Sequence, residues 1–370
     1  MKKVIAIFCG YYLPHLGGIE RYIANLSKEL IKNNYRVIIV SSNYNNSKTI
    51  EKKDNLIEMR LPIYNLFKNR YPIIKHHNKD YKKVMKELDK YKIDRIIVNT
   101  RFHLTSLIGA KYGKRKNIPV YLIEHGSNHL SINNKILDKF GELYEHILTK
   151  IIEKYVDYNY GVSYAACDWQ KHFHIKSDGV WYNSINRFDK NITIKKSVKK
   201  IKIIYAGRIL KQKGVEELIL AFNKLKNKYK NIELIIAGDG DYLSYLKNTY
   251  KQEGINYLGS VSFEKLIKLY AESNIFVYAS NYPEGLPTSI LEAGLMKCAC
   301  IVSPNGGTRH FINKNNGIIV TNQNELEKAL EKCIANKEYR EEIGEELSKT
   351  IINNFTWEKT TKKILKDMDV

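Results

Sequence analysis

The sequence predicts an α/β fold built from two doubly wound parallel sheets. Strand and helix patterns alternate from Lys2 onward, and the alternation begins again after a polar stretch near residue 190. Most of the strands are short, continuous apolar runs, which is typical of parallel strands covered by helices on both faces. A chain of 370 residues with 44% hydrophobic residues is long enough to form two domains with separate cores.

The first domain is predicted to span residues 1–185. Its elements are, in order, the strand KVIAIFCG, the helix IERYIANLSKELIKN, the strands RVIIVSSN and DRIIVNT, a helix near 104–116, the strand PVYLIEH and a helix from about 134 to 155. This order is that of βαβ units, whose crossovers produce a parallel sheet. The opening run also has the charge and apolar stretch of a signal peptide, but it ends within seven residues, at Gly10, and no cleavage pattern follows. We therefore interpret it as the first buried strand.

A linker is predicted at residues 186–200, where the chain is polar, charged and short of apolar residues. The second domain, residues 201–354, repeats the plan of the first. Its elements are, in order, the strand IKIIYAGR, the helix VEELILAFNKLKNK, the strand IELIIAGDG, the helix YLSYLKNTYKQEG, the strand INYLGSV, the helix SFEKLIKLYAES, the strand NIFVYAS, a helix that begins near Pro287 and the strand CACIVSPNGG. A last helix, at about 355–370, is expected to pack back on the first domain.

The net charge of +22 is the strongest anomaly of the composition. Residues 1–185 hold 31 Lys and Arg against 17 Asp and Glu, a surplus of 14, and the remainder holds a surplus of 8. Such a surface attracts anionic lipid or nucleic acid. No nucleic-acid-binding motif set accompanies the charge, so a membrane surface is the favoured partner, with a compositional habit of the organism as the other explanation. No run approaches the ~18 to 20 apolar residues that a membrane span needs.

The sequence predicts no metal site and no cofactor. The five cysteines include no C-x-x-C pair, which predicts reduced thiols in a cytoplasmic protein rather than a disulfide framework or a zinc site. The motif GDGD, residues 238–241, contains an Asp-x-Asp that is a candidate for Mg²⁺. Gly and Asp are also favoured in tight turns for backbone reasons alone, and hard-cation sites usually cluster more oxygen ligands than this.

The stretch NYPEGLPTSILEAG, residues 281–294, contains two glutamates eight positions apart, Glu284 and Glu292. It follows a buried strand, and Pro287 fits the first turn of a helix because its fixed φ and missing N–H cost little there. Glu284 and Gly285 are therefore predicted in a strand-to-helix loop at the carboxyl edge of a parallel sheet, where open α/β sheets bind their ligands. A capped surface helix with two exposed glutamates is the alternative interpretation.

Two further loops have the composition of anion-binding loops. The loop AGRILKQKG, residues 206–214, follows a strand and presents Arg208 and Lys213, which offer phosphate a forked donor set and a point charge. Gly17 and Gly18 follow the first strand, and glycines there let the backbone approach a pyrophosphate closely. Neither loop matches a complete dinucleotide or P-loop fingerprint, so solvated cations and an ordinary helix start remain the alternatives.

Taken in order, these motifs resemble those of the retaining GT-B glycosyltransferases of family 4. Gly-Gly-x-Glu follows the first strand, Gly-Arg-x₄-Lys-Gly opens the second domain, and Glu-x₇-Glu lies farther on; NFTWEK (354–359) resembles the start of that family's final helix. The resemblance covers nearly the whole chain. It implies two Rossmann-like domains that face a central cleft.

The resemblance also implies an activity. A sugar would move, with retention, from a nucleotide-diphosphate sugar (a UDP-sugar is favoured) to a hydroxyl of a lipid-linked or cell-surface glycan. No metal or cofactor would be required, because cations and amides would stabilise the leaving diphosphate. The basic first domain holds the acceptor side in this family, which suggests a cytoplasmic protein that binds peripherally to the inner face of the cell membrane.

The same resemblance assigns roles to individual residues. Glu284 and His125 would be the catalytic pair beside the donor sugar, and Glu292 would bind the ribose hydroxyls. The remaining assignments are to the donor: its diphosphate would contact Arg208, Lys213, Gly17 and Gly18, and its sugar or nucleoside would contact Gly285, Leu286, Pro287 and Thr288. A hydrogen-bonded loop histidine is the alternative role for His125.

The chain departs from the family pattern in two places. Arg309 and His310 stand where the family usually has Pro and Glu, and WYNSIN (181–186) matches the usual hinge segment only loosely. Three other functions stay open on the sequence: a GT-B nucleotide-sugar epimerase, a non-catalytic nucleotide-sugar-binding protein, and a nucleic-acid binder that rests on charge alone.

Overall fold

The structure, a computed structural model, describes residues 2–15, 17–66, 71–129, 135–187, 192–281 and 285–370. The chain divides into two compact units: Met1–Asn183 together with Thr360–Val370, and Ser184–Lys359. Each unit contains one mainly parallel sheet with helices connecting its strands. The predicted α/β class with two Rossmann-like domains is therefore confirmed.

The first unit alternates strands and helices, as the sequence predicts. Its elements are β1 (Val4–Phe8), α1 (Gly18–Lys32), β2 (Arg36–Ser42), β3 (Ile50–Lys53), β4 (Leu56–Leu61), β5 (Ile63–Leu66), β6 (Tyr71–Ile74), α2 (Lys79–Leu88), β7 (Arg95–Asn99), α3 (Leu104–Lys116), β8 (Val120–Glu124), α4 (Lys135–Ile152), β9 (Tyr158–Gly161), α5 (Tyr164–Lys171) and β10 (Gly179–Val180).

The main sheet of the first unit has eight strands in the order β10-β9-β8-β7-β1-β2-β4-β3. Strand β1 is parallel to both β2 and β7, and only the edge strand β3 runs antiparallel to its neighbour. Every residue of β1 is at least 94% buried, since helices cover both faces of the sheet at its centre. The order reverses direction at β1, which places a topological switch point between the carboxyl ends of β1 and β7.

The second unit repeats this plan more regularly. Its elements are β11 (Ile201–Ala206), α6 (Val215–Lys228), β12 (Ile232–Ala237), α7 (Leu243–Thr249), β13 (Ile255–Gly259), α8 (Phe263–Glu272), β14 (Ile275–Tyr278), α9 (Thr288–Leu295), β15 (Ala299–Val302), β16 (Ile318–Ile319), α10 (Gln323–Ala335), α11 (Lys337–Asn354) and the start of α12 (Trp357–Asp367). The six strands are all parallel and have the order β13-β12-β11-β14-β15-β16. This is the Rossmann order, with its switch point between β11 and β14.

The segment predicted as a linker belongs to the second unit. Residues 192–200 have no regular secondary structure, and Lys196 Nζ donates a hydrogen bond to the backbone oxygen of Tyr270 at 3.0 Å. At the other end of the chain, α12 passes from the second unit to the first at Thr360. There Trp181 Nε1 donates to the Asp367 carboxylate at 2.8 Å, so the helix is attached to the first unit by a buried indole.

Several elements differ from the sequence predictions. Helix α7 ends at Thr249 rather than near residue 254, because the backbone leaves the helical region at Tyr250, where φ is −117° and ψ is 88°. The hairpins β3–β4 and β5–β6 were not predicted, since β3 and β4 mix charged and apolar residues and β5 and β6 are only four residues long each. Helices α2, α5, α10 and α11 were also not predicted, although each has an Asn or Ser N-cap whose side chain accepts a backbone hydrogen bond: Asn78, Ser163, Asn322 and Asn336.

All five cysteines are buried and free, and burial raises the pKa of each thiol, as it does for Cys9 and Cys333. Within the described ranges, no helix combines the length and apolarity that crossing a bilayer requires.

Candidate functional site

The switch point of the second sheet gathers most of the predicted binding residues. Strand β11 lies between β12 and β14, and the connections leave it toward opposite sides, which opens a crevice at the carboxyl ends of the strands. The loop after β11 contains Arg208 and Lys213, and the loop after β14 leads to Gly285 and α9. The structure thus brings two separate sequence motifs to one edge of one sheet.

Lys213 is a buried cation at this edge. It ends a short 3₁₀ turn, Lys211–Lys213, its side chain is 92% buried, and its Nζ donates to the Tyr278 hydroxyl at 3.2 Å. Burial, and then the positive charge of Arg208, lower the pKa of Lys213 to about 8. Arg208 is itself exposed. The two cations are therefore close enough to repel each other, and a bound anion would relieve both the burial cost and the repulsion.

The turn that presents Lys213 depends on the glycine after it. Gly214 has a φ of 73°, and a Cβ at this position would lie 2.2 Å from the backbone oxygen of Ala279, just beyond β14. No L-residue side chain fits there without a backbone shift. Helix α6 starts at the next residue, Val215, so the lysine turn, the helix start and the end of β14 are held in one arrangement.

A cavity of about 290 Å³ adjoins Arg208. Its walls are the loops that follow β11, β12 and β13, namely Ala206, Gly207, Arg208, Ala237, Gly238, Asp239, Ser260, Val261 and Leu266. The loops approach closely because Gly238 has no side chain: a Cβ there would lie 1.9 Å from the Gly207 oxygen. Asp239 Oδ1 accepts a hydrogen bond from Gly240 N at 2.8 Å, which is the turn role that the sequence predicts for this motif.

The residues predicted to bind the donor sugar or nucleoside surround the start of α9. Pro287 is the N-cap, with Thr288 as the first helical residue, so the proline lies one position before the predicted first turn. Leu286 is buried and Gly285 is partly exposed; the Gly285 oxygen accepts from Gly307 N at 2.6 Å, which ties the loop to the segment after β15. Glu292 is 91% buried inside α9. Glu284, the predicted catalytic glutamate, lies outside the described residues.

The positions that depart from the family pattern are also near this loop in sequence. Arg309 and His310 end a 3₁₀ turn, Gly306–His310, and both side chains are exposed. The turn is held by Thr308, whose hydroxyl donates to the Ser303 oxygen at 2.9 Å. A cation and an imidazole thus occupy surface positions of the segment that contacts Gly285.

In the first unit, His125 lies at the carboxyl end of β8, beside the switch point. Its Nε2 is 2.9 Å from Asn99 Oδ1 at the end of β7, and its ring packs edge-on against Tyr22 with centroids 4.9 Å apart. Asn99 Nδ2 donates to the Phe8 oxygen at 3.1 Å. The amide orientation is therefore fixed, and its oxygen must accept from His125 Nε2–H.

His125 is consequently a neutral imidazole with a defined tautomer. Burial, and then the nearby His103, lower the pKa of His125 to about 3, and burial lowers that of His103 to about 4. With the proton on Nε2, the Nδ1 atom of His125 is a hydrogen-bond acceptor. The ring can accept a hydrogen bond from a hydroxyl, and it carries no charge at neutral pH.

Gly17 and Gly18 lie at the start of α1, also in the first unit. Gly17 is the N-cap of the helix in extended conformation, and Gly18 is its first residue and is exposed, with open space where a Cβ would be. The buried Glu20 accepts a 2.9 Å hydrogen bond from His15 Nδ1. The backbone is therefore open to a ligand at Gly18, whereas the Glu20 carboxylate lies beside Gly17, where a Cβ would be 2.4 Å from its Oε2.

Sequence reasoning missed two residues that contact the predicted site residues His125 and Lys213. Asn99 orients His125, and Tyr278 receives the hydrogen bond of Lys213. Both are the last residues of buried parallel strands. A polar residue at the carboxyl end of such a strand is the signal that could have identified them.

The sequence was found to match two protein families and a full-length relative. The family described as Glycosyl transferases group 1 matches residues 187–350, and Glycosyltransferase Family 4 matches residues 16–188. An uncharacterized glycosyltransferase of Methanocaldococcus jannaschii is 31% identical over 386 aligned residues, which cover 99% of this chain and 98% of that relative.

Solved structures share the fold over the whole chain. Sucrose-phosphate synthase from Thermosynechococcus elongatus superimposes with a TM-score of 0.75 at 16% identity and covers 100% of this chain and 98% of its own. Anabaena HepE in complex with UDP gives a TM-score of 0.73 at 16% identity, with 99% of both chains covered. The chain therefore belongs to the family 4 glycosyltransferases of the GT-B fold.

Proposed function

We propose that the protein transfers a sugar, with retention of configuration, from a nucleotide-diphosphate sugar to a hydroxyl of a lipid-linked or cell-surface glycan. The observation that carries the proposal is the pair of cations, Arg208 and Lys213, at the switch point of the second sheet. A UDP-sugar is the favoured donor, which the shared fold with the UDP-binding Anabaena HepE supports.

The diphosphate would bind between Arg208 and Lys213. The low pKa of Lys213 reflects an ammonium that is buried and repelled by Arg208, and a bound diphosphate would favour its charged form. Hydrogen bonds between charged groups contribute about 1.5 to 3 kcal/mol each. Because negative charge on the diphosphate grows as the sugar–phosphate bond breaks, the same two cations stabilise the transition state more than the ground state. No metal is needed for that task.

The nucleoside would occupy the adjoining region of the second unit. The 290 Å³ cavity beside Arg208 is large enough for part of a nucleoside, and its walls of backbone and small side chains suit a flat base. Glu292, largely buried in α9, supplies a carboxylate for the ribose hydroxyls. A buried carboxylate that accepts two hydroxyl hydrogen bonds discriminates strongly against a ligand without them.

The donor sugar would contact His125 through Nδ1. The Asn99 amide fixes the proton on Nε2, so Nδ1 accepts a hydrogen bond from a sugar hydroxyl without adding positive charge. Glu284 is proposed to act beside the sugar, and Gly285, Leu286 and Thr288 would offer backbone N–H groups near the start of α9.

The proposed reaction is a front-side displacement. The bond between the anomeric carbon and the diphosphate oxygen breaks, and the acceptor oxygen forms its bond on the same face of the sugar. The proton of the acceptor hydroxyl passes to the departing diphosphate, and no covalent sugar–protein intermediate forms. The product therefore keeps the anomeric configuration of the donor.

The acceptor would be presented at an anionic membrane surface by the first unit. Helix α4 carries exposed apolar residues at i, i+4, i+7, i+11 spacing, which is one face of a helix: Ile136, Phe140, Leu143 and Ile147, each more than half exposed. Exposed Lys139 and Lys150 border this face. An amphipathic helix with lysines beside its apolar face inserts into the headgroup region of anionic bilayers.

The test is a transfer assay with UDP-, GDP- and ADP-sugars and a lipid-linked glycan acceptor, in the presence of EDTA. The proposal predicts transfer from one nucleotide class, acceptor-dependent release of the nucleoside diphosphate, and a product whose anomeric configuration, measured by NMR, equals that of the donor. Conversion of the donor without acceptor would favour an epimerase, and an inverted product would exclude the front-side displacement. The Glu284→Ala variant is expected to lose turnover while it keeps its fold.

A further inference from the structure

Three histidines from three separate elements of the first unit converge at its surface. His129 follows β8, His146 lies in α4, and His172 directly follows α5. One ring nitrogen of each lies within 4.8 Å of the corresponding nitrogens of the other two. None of the three takes part in the sugar-transfer site proposed above, and the sequence analysis predicted no metal site.

The spacing of two of the rings matches a metal-bound pair. The Nε2 atoms of His146 and His172 are 3.3 Å apart. Two imidazole nitrogens bound to one tetrahedral Zn²⁺ at about 2.0 to 2.1 Å are also separated by about 3.3 Å. The His129 ring lies next to both of these rings, with its centroid 5.4 Å from that of His146 and 5.3 Å from that of His172. A small inward shift of His129 would therefore complete a face of three ring nitrogens around one ion.

The third ring is already oriented as a metal ligand would be. His129 Nδ1 donates to Oε2 of Glu145 at 2.9 Å, and this carboxylate is completely buried. The hydrogen bond places the proton on Nδ1 and leaves the Nε2 lone pair as the ligand. A carboxylate behind a histidine in this way is the usual outer-shell support of a metal-bound imidazole, since it fixes the tautomer and raises the basicity of the ring.

A buried group of three charged side chains lies behind His129. Arg101 is buried and forms ion pairs of 2.7 Å with both Glu124 and Glu145. One positive and two negative groups leave a formal charge of −1 next to His129. Glu145 can thus support a metal-bound histidine without losing its own partner, and the guanidinium is directed to the carboxylates rather than to the histidines.

Aromatic packing holds the rings in position. Trp169 stacks on His172 with centroids 4.8 Å apart and planes within 5°, and Phe173 contacts the His146 ring at 4.7 Å. Neutral imidazole suits the borderline transition metals, such as Zn²⁺, better than Mg²⁺ or Ca²⁺.

We propose that His129, His146 and His172 form a binding site for a divalent transition metal of the Zn²⁺ class, with a solvent-facing fourth position. A bound ion joins the loop after β8 to α4 and α5, and thereby fixes α4, the helix that carries the exposed apolar face. The site stabilises the first unit and is separate from the diphosphate-binding cations of the second.

The experiment is a calorimetric titration of Zn²⁺ alone into the full-length, EDTA-treated and dialysed protein. We expect one Zn²⁺ per chain and an increase in melting temperature on binding.

His146→Ala and His172→Ala are the informative variants, because both side chains are exposed and their loss should leave the metal-free melting temperature unchanged. Each is expected to weaken Zn²⁺ binding at least tenfold. His77→Ala, which removes an exposed histidine elsewhere on the first unit, is the matched control and should bind as the wild type does.

A second arm keeps the proposal testable if one substitution perturbs the fold. Co²⁺ bound to three imidazoles and water in the wild-type protein is expected to give the visible absorption of a four- or five-coordinate ion, which Zn²⁺ abolishes by displacement. Failure of the wild type to bind Zn²⁺ would overturn the proposal. Equal affinity in the wild type and in both histidine variants would also overturn it, because the bound Zn²⁺ would then be an adventitious ion only.

Discussion

Lys213 carries much of the chemistry proposed for the donor site. Its ammonium donates to the Tyr278 hydroxyl, and burial, followed by repulsion from Arg208, holds its pKa at about 8. The unfolded chain keeps this proton to a higher pH than the fold does, so from this group the stability of the free protein rises with pH between about 8 and the ordinary lysine value. Anion binding has the opposite preference, because it requires the charged form.

UDP affinity should therefore fall at alkaline pH. Above pH 8 the free protein loses the Lys213 proton, binding has to take it up again, and the dissociation constant is expected to increase about tenfold per pH unit. Titrations between pH 7 and 9.5 measure this slope. Lys213→Arg, whose side chain stays charged, should bind with no such slope. An equal slope in the wild type and the Arg variant would assign the titration to another group.

Asn99 is expected to act on turnover and not on nucleotide binding. Removing its amide in Asn99→Ala frees the tautomer of His125, so kcat should fall about 10- to 100-fold, in the range of lost outer-shell support. UDP affinity should not change, because His125 is proposed to contact the donor sugar, which UDP lacks. A UDP affinity that falls together with kcat would contradict the assignment.

The pH dependence of the wild-type kcat gives a separate test of the neutral imidazole. The wild-type kcat should show no histidine inflection between pH 5 and 7, since His125, with a pKa of about 3, is already neutral there.

At the scale of elements, the short turn between β11 and α6 is the part of the donor site most sensitive to geometry. It positions Lys213 through the left-handed conformation of Gly214 and the close approach to Ala279. Gly259 has a similar φ of 66°, but a Cβ there meets nothing within 4 Å. The two glycines therefore separate the cost of backbone conformation from the cost of a backbone clash.

Gly214→Ala is expected to lower both the melting temperature and UDP affinity. Gly259→Ala carries only the conformational cost, about 1 kcal/mol, whereas Gly214→Ala adds a contact that only a backbone shift can relieve. Thermal unfolding and UDP titration of the two variants measure the difference. If both substitutions have the same effect on melting temperature and leave UDP affinity intact, the turn does not position the lysine in the way described.

Helix α4 permits a test of the proposed membrane surface. Phe140 is 66% exposed, so Phe140→Asp should leave the fold intact while it removes apolar area that would enter the headgroup region. Transfer of one such side chain contributes about 1.5 to 3 kcal/mol, so partition to anionic vesicles at low salt should fall at least tenfold. Phe263→Asp, at a similarly exposed phenylalanine of α8 in the second unit, is the control. Vesicle binding that is unchanged in the α4 variant, or that falls equally in the control, would place the membrane contact elsewhere.

At the scale of the whole molecule, the regular βαβ parts could be predicted from sequence because apolar runs and helical periodicity report burial directly. Strands β1, β2, β7 and β8 of the first sheet, strands β11 to β15 of the second, the boundaries of α3 and the loops with Arg208 and Lys213 follow from such patterns. The β3–β4 hairpin could not be predicted, since the edge strand IEKK has no buried face. The histidine cluster and the Asn99–His125 pair could not be predicted either, because their members lie 26 or more residues apart or on different elements, and only the fold brings them together.

The most direct test of the account is a calorimetric titration of UDP into the metal-free protein, with Arg208→Ala, Lys213→Ala and Lys211→Ala as variants. Lys211 is an exposed lysine of the same turn and serves as the matched control. The account predicts UDP binding without a divalent metal, about 10- to 100-fold weaker binding in the first two variants, and wild-type affinity in the third. A wild type that does not bind UDP, GDP or ADP, or a Lys211 variant as impaired as the Lys213 variant, would contradict the diphosphate site at the switch point of the second sheet.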